Sequence, residues 1–207
     1  MKITRIVQQE KDKGRYSIFV DEKYAFSLSE SALLESKLVV GQELQPAELK
    51  EWKLESADDK VSGSALRYAA MRLRSHWEMA QYLQRRDAPP ALAEKILNKL
   101  SNIGLLDDQK FAEAWVANRR LLRPTSKRKL QQELRAKRVS DEVINRTLAE
   151  GAGDEQTILR ELIAKKRRLS KYKADPLKLM NYLARQGFSY GDIKDALGAL
   201  DHDDSLD

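Results

Sequence analysis

Residues 119–138 concentrate cations: Arg119, Arg120, Arg123, Lys127, Arg128, Lys129, Arg135, Lys137 and Arg138, opposed only by Glu133. A second group, Lys165, Lys166, Arg167 and Arg168, follows, and Lys171 and Lys173 extend it. Clusters of this kind suit phosphates or carboxylates, because Arg offers a planar bidentate fork and Lys a mobile point charge. Between Trp115 and Tyr172 the chain has no Phe, Tyr or Trp. Proteins that grip bare single strands stack bases on aromatic platforms, each worth about 1–3 kcal/mol. The cationic stretch therefore reads as a tracker of backbone charge, or as the complement of an acidic protein groove. The bland alternative is a set of solvated helix faces.

Other chemistry is sparse. The two histidines are His76, in the first turn of an expected helix, and His202, in an acidic tail. Neither has an acid–base partner or ligand set nearby in sequence. Asp107 and Asp108 form the one tempting carboxylate pair, but adjacent carboxylates that open a helix are better read as a cap and a dipole partner. The chain has no Cys, which removes thiolate nucleophiles, disulfides and Cys-based zinc sites. No glycine-rich phosphate loop of the Walker or dinucleotide type is present. The sequence does not read as an enzyme, and it calls for no metal and no cofactor.

The charge distribution agrees. Among 207 residues, 38 are Lys or Arg and 32 are Asp or Glu, a net of +6. Residues 1–62 carry −2, residues 63–200 carry 28 basic against 16 acidic side chains, and the last seven residues carry four aspartates. A basic body of this kind points to a polyanionic partner, nucleic acid or an acidic protein surface. No apolar run approaches the roughly 18–20 residues of a membrane span. Charges interrupt residues 1–20 where a signal-peptide core would lie. The expectation is a cytoplasmic protein and a monomer, with no heptad seam to suggest a coiled-coil dimer.

The elements that must position these cations follow from periodicity. Residues 1–28 alternate as strands: Tyr16, Ile18 and Val20, then Tyr24, Phe26 and Leu28 beyond the charged turn Asp21-Glu22-Lys23, with Ile3, Ile6 and Val7 in a preceding strand. Ser29 is a candidate N-cap for a helix over 30–37, and Pro46 is placed to open another through Lys53. From residue 62 a helical period takes over, and it repeats. Ser75, Ser126 and Asp175 are each followed, four and eight residues later, by Met79 and Leu83, Leu130 and Leu134, Leu179 and Leu183. Fourteen residues further on stand Leu97, Leu148 and Leu197.

Second caps fall near Pro89-Pro90, Ser140 and Ser189. Each unit is then three helices, the first ones over about 63–74, 108–122 and 154–170. Phe111, Trp115, Asn118 and Leu122 form the expected buried stripe of the middle one. Ile158, Leu159, Leu162 and Ile163 form that of the last. With Leu130 and Leu134 facing inward, Arg128 and Arg135 project to the opposite side beside Gln132. Lys165 and Arg168 lie off the 158/159/162/163 stripe, while Lys166 must bend away from it. One triplet cannot cover its own apolar faces, but three in series can. The fold expected is mainly α. A small β-rich unit (1–55) precedes three tandem three-helix repeats (63–105, 106–151 and 152–200) in an elongated stack, and an acidic tail (201–207) follows.

The segment Ala69–Met79, with Arg72, Arg74, Ser75 and Glu78, resembles the first-repeat motif of the RecX family of bacterial RecA regulators. Gly104-Leu105-Leu106-Asp107-Asp108 through Phe111 resembles that family's link into its second repeat. The likeness covers about residues 63–198, and the β-rich start resembles an N-terminal extension of some members. One departure is Lys137-Arg138, where members often have Lys-Gly. The resemblance implies an all-helical modular protein that binds in the groove of the RecA–DNA filament and restrains its growth, ATPase, strand exchange and coprotease activity in recombination and the SOS response. Its partner would be RecA on single-stranded DNA, with weak direct DNA contact. Two other readings stay open: a DNA-binding protein acting without RecA, and a repeat scaffold for another acidic protein.

Overall fold

The computed structural model describes residues 1–151 and 153–203. Three strands open the chain as an antiparallel meander: β1 (Ile3–Gln8), β2 (Arg15–Val20) and β3 (Lys23–Ser29). The Asp21-Glu22 turn closes tightly because both residues take left-handed backbone, φ +48° and +65°, which matches the strand twist. Ile3 opposes Val20 and Ile18 opposes Phe26 across the ladders. The two-residue period thus puts Ile3, Ile18, Val20, Phe26 and Leu28 into one core with Leu38 and Leu44. Ser29 caps α1 (Glu30–Ser36), its hydroxyl accepting from the Ala32 N–H.

The next element departs from the sequence reading. A single helix, α2 (Pro46–Ala70), replaces the two helices expected at 46–53 and 63–74 and runs through the stretch between them. On its sheet-facing side Leu49 and Trp52, packed on the sheet's core, give way to polar Ser56 and Asp59, so the apolar period lapses there. The Ser56 hydroxyl donates to the Ser27 carbonyl at 2.6 Å, and the Ser29 hydroxyl donates to Asp59 Oδ1 at 2.6 Å. Asp59 also pairs with Arg15 Nη1 at 2.7 Å, both side chains largely buried. Backbone groups of β3 are thereby satisfied by helix side chains, and these polar contacts extend the hold of α2 on the sheet beyond Leu49 and Trp52.

Three helical triplets follow. The far half of α2 packs with α3 (His76–Gln84) and α4 (Pro90–Asn102) around Ala65, Ala69, Met79, Leu83, Ile96 and Leu100. The second triplet is α5 (Asp108–Leu122), α6 (Lys127–Ala136) and α7 (Asp141–Gly151), around Phe111, Ala112, Val116, Leu130, Leu134 and Ile144. The third is α8 (Glu155–Arg167), α10 (Pro176–Arg185) and α11 (Tyr190–Asp203), around Leu159, Leu162, Ile163, Leu179, Leu183 and Ile193. A four-residue helix, α9 (Ser170–Lys173), joins α8 to α10. The long helix expected over 154–170 therefore stops earlier, because Leu169 takes extended backbone, φ −89° and ψ 125°. Of the expected acidic tail, residues 204–207 lie outside the described residues.

All six repeat positions, Met79/Leu83, Leu130/Leu134 and Leu179/Leu183, are buried. Leu97 and Leu148 pack at the edges of their cores, as does Leu197. The stripe expected on α5 is corrected in its second half: Asn118 is exposed and Leu122 is 72% exposed. The inward face runs through Phe111, Ala112 and Val116, with Trp115 half-buried. The row then continues to Arg119 and Arg120, both half-buried, so apolar stems of cations complete it where Asn118 and Leu122 were expected.

Contacts divide the chain into two compact units. Met1–Arg72 and Met79–Leu106 form one; Leu73–Glu78 and the residues from Asp107 onward form the other.

Candidate functional site

The cations of the second unit separate into two populations. One is built into the packing. Arg119 Nε donates to Glu133 Oε2 at 2.8 Å, and its guanidinium lies 5.1 Å from the Trp115 ring centre. The Trp115 indole N–H donates to the same carboxylate at 2.9 Å, and Lys137 Nζ lies 5.5 Å from the ring centre. Lys137 also pairs with Glu78 Oε1 at 2.8 Å. Trp115 is thus held between cations and a carboxylate, and its N–H is already used. The one anion within the cationic stretch, Glu133, is consumed by this knot, so the outer cations have no anion inside the stretch to pair with.

Arg120 is built in as well. Its Nη1 donates to the Thr125 carbonyl at 2.5 Å, while Nε and Nη2 are buried with no hydrogen-bond partner among the described residues. Burial pushes its guanidinium below the usual arginine range, and Glu155 pulls it back up. The Lys129 ammonium donates to the Arg185 carbonyl at the end of α10. The Lys127 backbone N–H donates to Glu155 Oε1 at 3.3 Å. Lys166, expected to bend its head away from the 158/159/162/163 stripe, lays its ammonium 4.8 Å from the Tyr182 ring centre, where the π face attracts it. Arg167 is half-buried.

The second population faces solvent: Arg123, Arg128, Arg135, Arg138, Lys165 and Arg168. Arg128 and Arg135 stand with exposed Gln132 on the side of α6 away from buried Leu130 and Leu134, as helical projection places them. Arg135 Nε donates to Asp141 Oδ1 at 2.7 Å in an exposed pair. Arg138 follows α6 in left-handed backbone, φ +57°.

Most of the motif residues sit in caps, turns or cores. Ser75 is fully buried, caps α3 by accepting from the Glu78 N–H at 3.2 Å, and donates to the Lys137 carbonyl at 3.0 Å. Arg74 is buried, and Arg72 is exposed. Gly104 supplies φ +74° after α4, and Leu105 packs on the first repeat's core. Asp107 caps α5, accepting from the Gln109 and Lys110 N–H groups at 2.9 and 3.1 Å. Asp108 Oδ1 accepts from the His76 N–H at 2.8 Å and so serves the start of α3 as well. Phe111 is core.

Sequence reasoning missed the packed roles of Arg119, Lys129 and Lys137. Spacing offered one signal for the first, since Trp115 and Arg119 stand four apart on one helix.

The cavities near these groups share a pattern. One of about 450 Å³ is walled by Leu121, Pro124, Ile158 and Leu162, with Arg120 and Lys165 as cations and Glu161 as the carboxylate. Another, of about 610 Å³, is lined by Arg167, Arg168, Tyr172, Lys173 and Leu197. No group of His, Asp or Glu among the described residues is arranged to hold a metal ion. No helix among them is long and apolar enough to cross a membrane.

Comparison with known proteins places this geometry. Residues 107–148 match the profile described as RecX, second three-helix domain, and residues 63–100 that of RecX, first three-helix domain. Residues 1–45 match the regulatory protein RecX N-terminal domain. The regulatory protein RecX of Lactobacillus delbrueckii subsp. bulgaricus is 32% identical, over 91% of this chain and 71% of that protein. The RecX of Bacillus subtilis is 29% identical, over 99% of this chain and 79% of that protein. A crystal structure of regulatory protein RecX superposes with a TM-score of 0.71 at 28% identity, covering 94% of this chain and 98% of that one. RecX from Lactobacillus salivarius, at 23% identity and a TM-score of 0.54, shares the fold. Matching profiles over both three-helix domains and the β-rich start, together with that identity over most of the chain, show that the chain belongs to the RecX family of regulatory proteins.

Proposed function

We propose that this chain regulates RecA in the cytoplasm, binding the RecA–DNA filament without catalysing a reaction of its own. Bound there, it restrains filament growth and the ATPase, strand-exchange and coprotease activities of RecA. Family membership supports the partner. The observation that carries the reading is the exposed pair Arg128 and Arg135, presented from the back of a helix whose opposite side is fully buried. Arg123, Lys165 and Arg168 are exposed in the same unit. Several such contacts, each weak, add as avidity on a repetitive polyanionic polymer. Direct gripping of naked single strands has less support: Trp115 is occupied by Glu133 and two cations, so it is not offered as a stacking platform.

The test adds the protein to preformed RecA filaments on single-stranded DNA and follows ATP hydrolysis. Inhibition at substoichiometric protein is expected, and Arg128→Glu with Arg135→Glu weakens it at least about tenfold, equivalent to ~1.4 kcal/mol. Unchanged hydrolysis with the wild-type protein overturns the reading. Tight binding to naked DNA, with a log–log salt slope of about −0.7 per phosphate neutralised, would favour a protein that acts without RecA.

A further inference from the structure

The second unit exposes leucines where a purely phosphate-binding surface has no use for them. Leu121 is 77% exposed and Leu122 72% exposed at the end of α5, next to Arg120 and Arg123. Leu121 forms one wall of the 450 Å³ cavity, facing Pro124 and the α8 residues Ile158 and Leu162. The same cavity holds two cations from different helices, Arg120 and Lys165. The Nε and Nη2 groups of Arg120 lie buried without partners among the described residues, so the exposed Lys165 is the cation that faces an incoming carboxylate.

We propose that this hollow is a docking site for an acidic, leucine-bearing segment of a partner protein. The inference rests on the filament-binding reading and deepens it: the contact made here is with protein, while Arg128 and Arg135 remain for phosphate. Three features choose that occupant. An aliphatic wall rewards an apolar side chain, which a nucleic-acid backbone does not bring. No aromatic lines the cavity, so bases have no stacking surface. Glu161 on the wall repels a continuous run of negative charge but tolerates carboxylates spaced between apolar residues. An amphipathic segment with apolar anchors and flanking carboxylates satisfies all three.

The experiment uses the full chain with three probes: a short synthetic peptide of glutamate and regularly spaced leucine, polyglutamate of the same length, and oligo-dT. Amide resonances of Leu121, Ile158 and Lys165 are followed by NMR. The leucine-containing peptide is expected to shift them saturably. Leu121→Ser, at an exposed position that the fold does not need, weakens that peptide at least about tenfold and leaves oligo-dT affinity unchanged. Peptide-induced shifts that map elsewhere overturn the proposal. So does polyglutamate binding as tightly as the leucine peptide, or an equal loss of oligo-dT affinity in the variant. A wild-type protein that leaves RecA filaments unaffected while binding the peptide at Leu121 overturns the RecA reading and upholds the docking site.

Discussion

Lys137 shows how residue type and residue role come apart. Its ammonium pairs with Glu78, whose side chain is 10% exposed, and lies against Trp115. Removing it weakens the compensation for the desolvation of a nearly buried carboxylate. Lys137→Ala is expected to destabilise the protein by about 1–3 kcal/mol, read by denaturant unfolding. Lys137→Met combined with Glu78→Leu recovers most of that loss, and a double variant as weak as the single one would contradict this account. Arg138 is the opposite case. It is exposed and sits at φ +57°, a conformation that costs an L-residue about 1–2 kcal/mol and glycine almost nothing. Arg138→Gly is expected to raise stability by up to about 1 kcal/mol while weakening polyanion binding. Movement of both quantities in the same direction would show that the arginine is held by contacts.

At the scale of elements, caps decide where helices begin. Asp154 opens α8, accepting from the Thr157 hydroxyl at 2.7 Å and the Thr157 N–H at 2.8 Å. Those hydrogen bonds hold its carboxyl below the usual carboxylate range. Because the folded value lies below the unfolded one, the stabilisation is present above about pH 4 and disappears as pH falls through the folded value. The protection factor of the Thr157 amide, its exchange relative to the intrinsic rate at each pH, is expected to fall on acidification in the wild-type protein. In Asp154→Asn, which caps without titrating, it stays flat, and identical pH profiles would refute the role. The helix ends are as informative as the starts. Asp87, Arg138 and Gly187 follow the second helices of the three repeats, all with positive φ. They stand 51 and 49 residues apart, the spacing of Ser75, Ser126 and Asp175.

At the scale of the whole molecule, the second unit is joined by one junction used twice. The Ser75 hydroxyl donates to the Lys137 carbonyl at the end of α6. The Ser126 N–H donates to the Gln186 carbonyl at the end of α10. In both, the N-cap of one repeat's second helix meets the carbonyl end of the next repeat's second helix, so opposite helix-dipole ends face each other. Gly187 permits the second junction. A Cβ there would lie 2.4 Å from Ser126 Oγ and 2.8 Å from Lys129 Cβ, at φ +94°. Gly187→Ala is expected to cost more than about 2 kcal/mol and to lower the melting temperature. An unchanged melting temperature would mean that the repeats do not depend on this contact.

Short-range order was legible in the sequence alone: the hairpin, the Ser29, Asp107, Ser126 and Asp175 caps, the six fully repeated core positions, and the outward projection of Arg128 and Arg135. Each depends on neighbours within one or two helical turns, where backbone periodicity dictates direction. Longer-range matters were decided only by tertiary structure. The continuity of α2 depends on Ser56 and Asp59 meeting β3, polar contacts that leave no periodic trace. Which cations face solvent depends on Glu78, Glu133, Tyr182 and the Arg185 carbonyl, partners 14 to 59 residues away in sequence. A charge count sees every Lys and Arg alike. Packing separates them, because a cation beside a carboxylate, a carbonyl or a ring has already exchanged its water for protein.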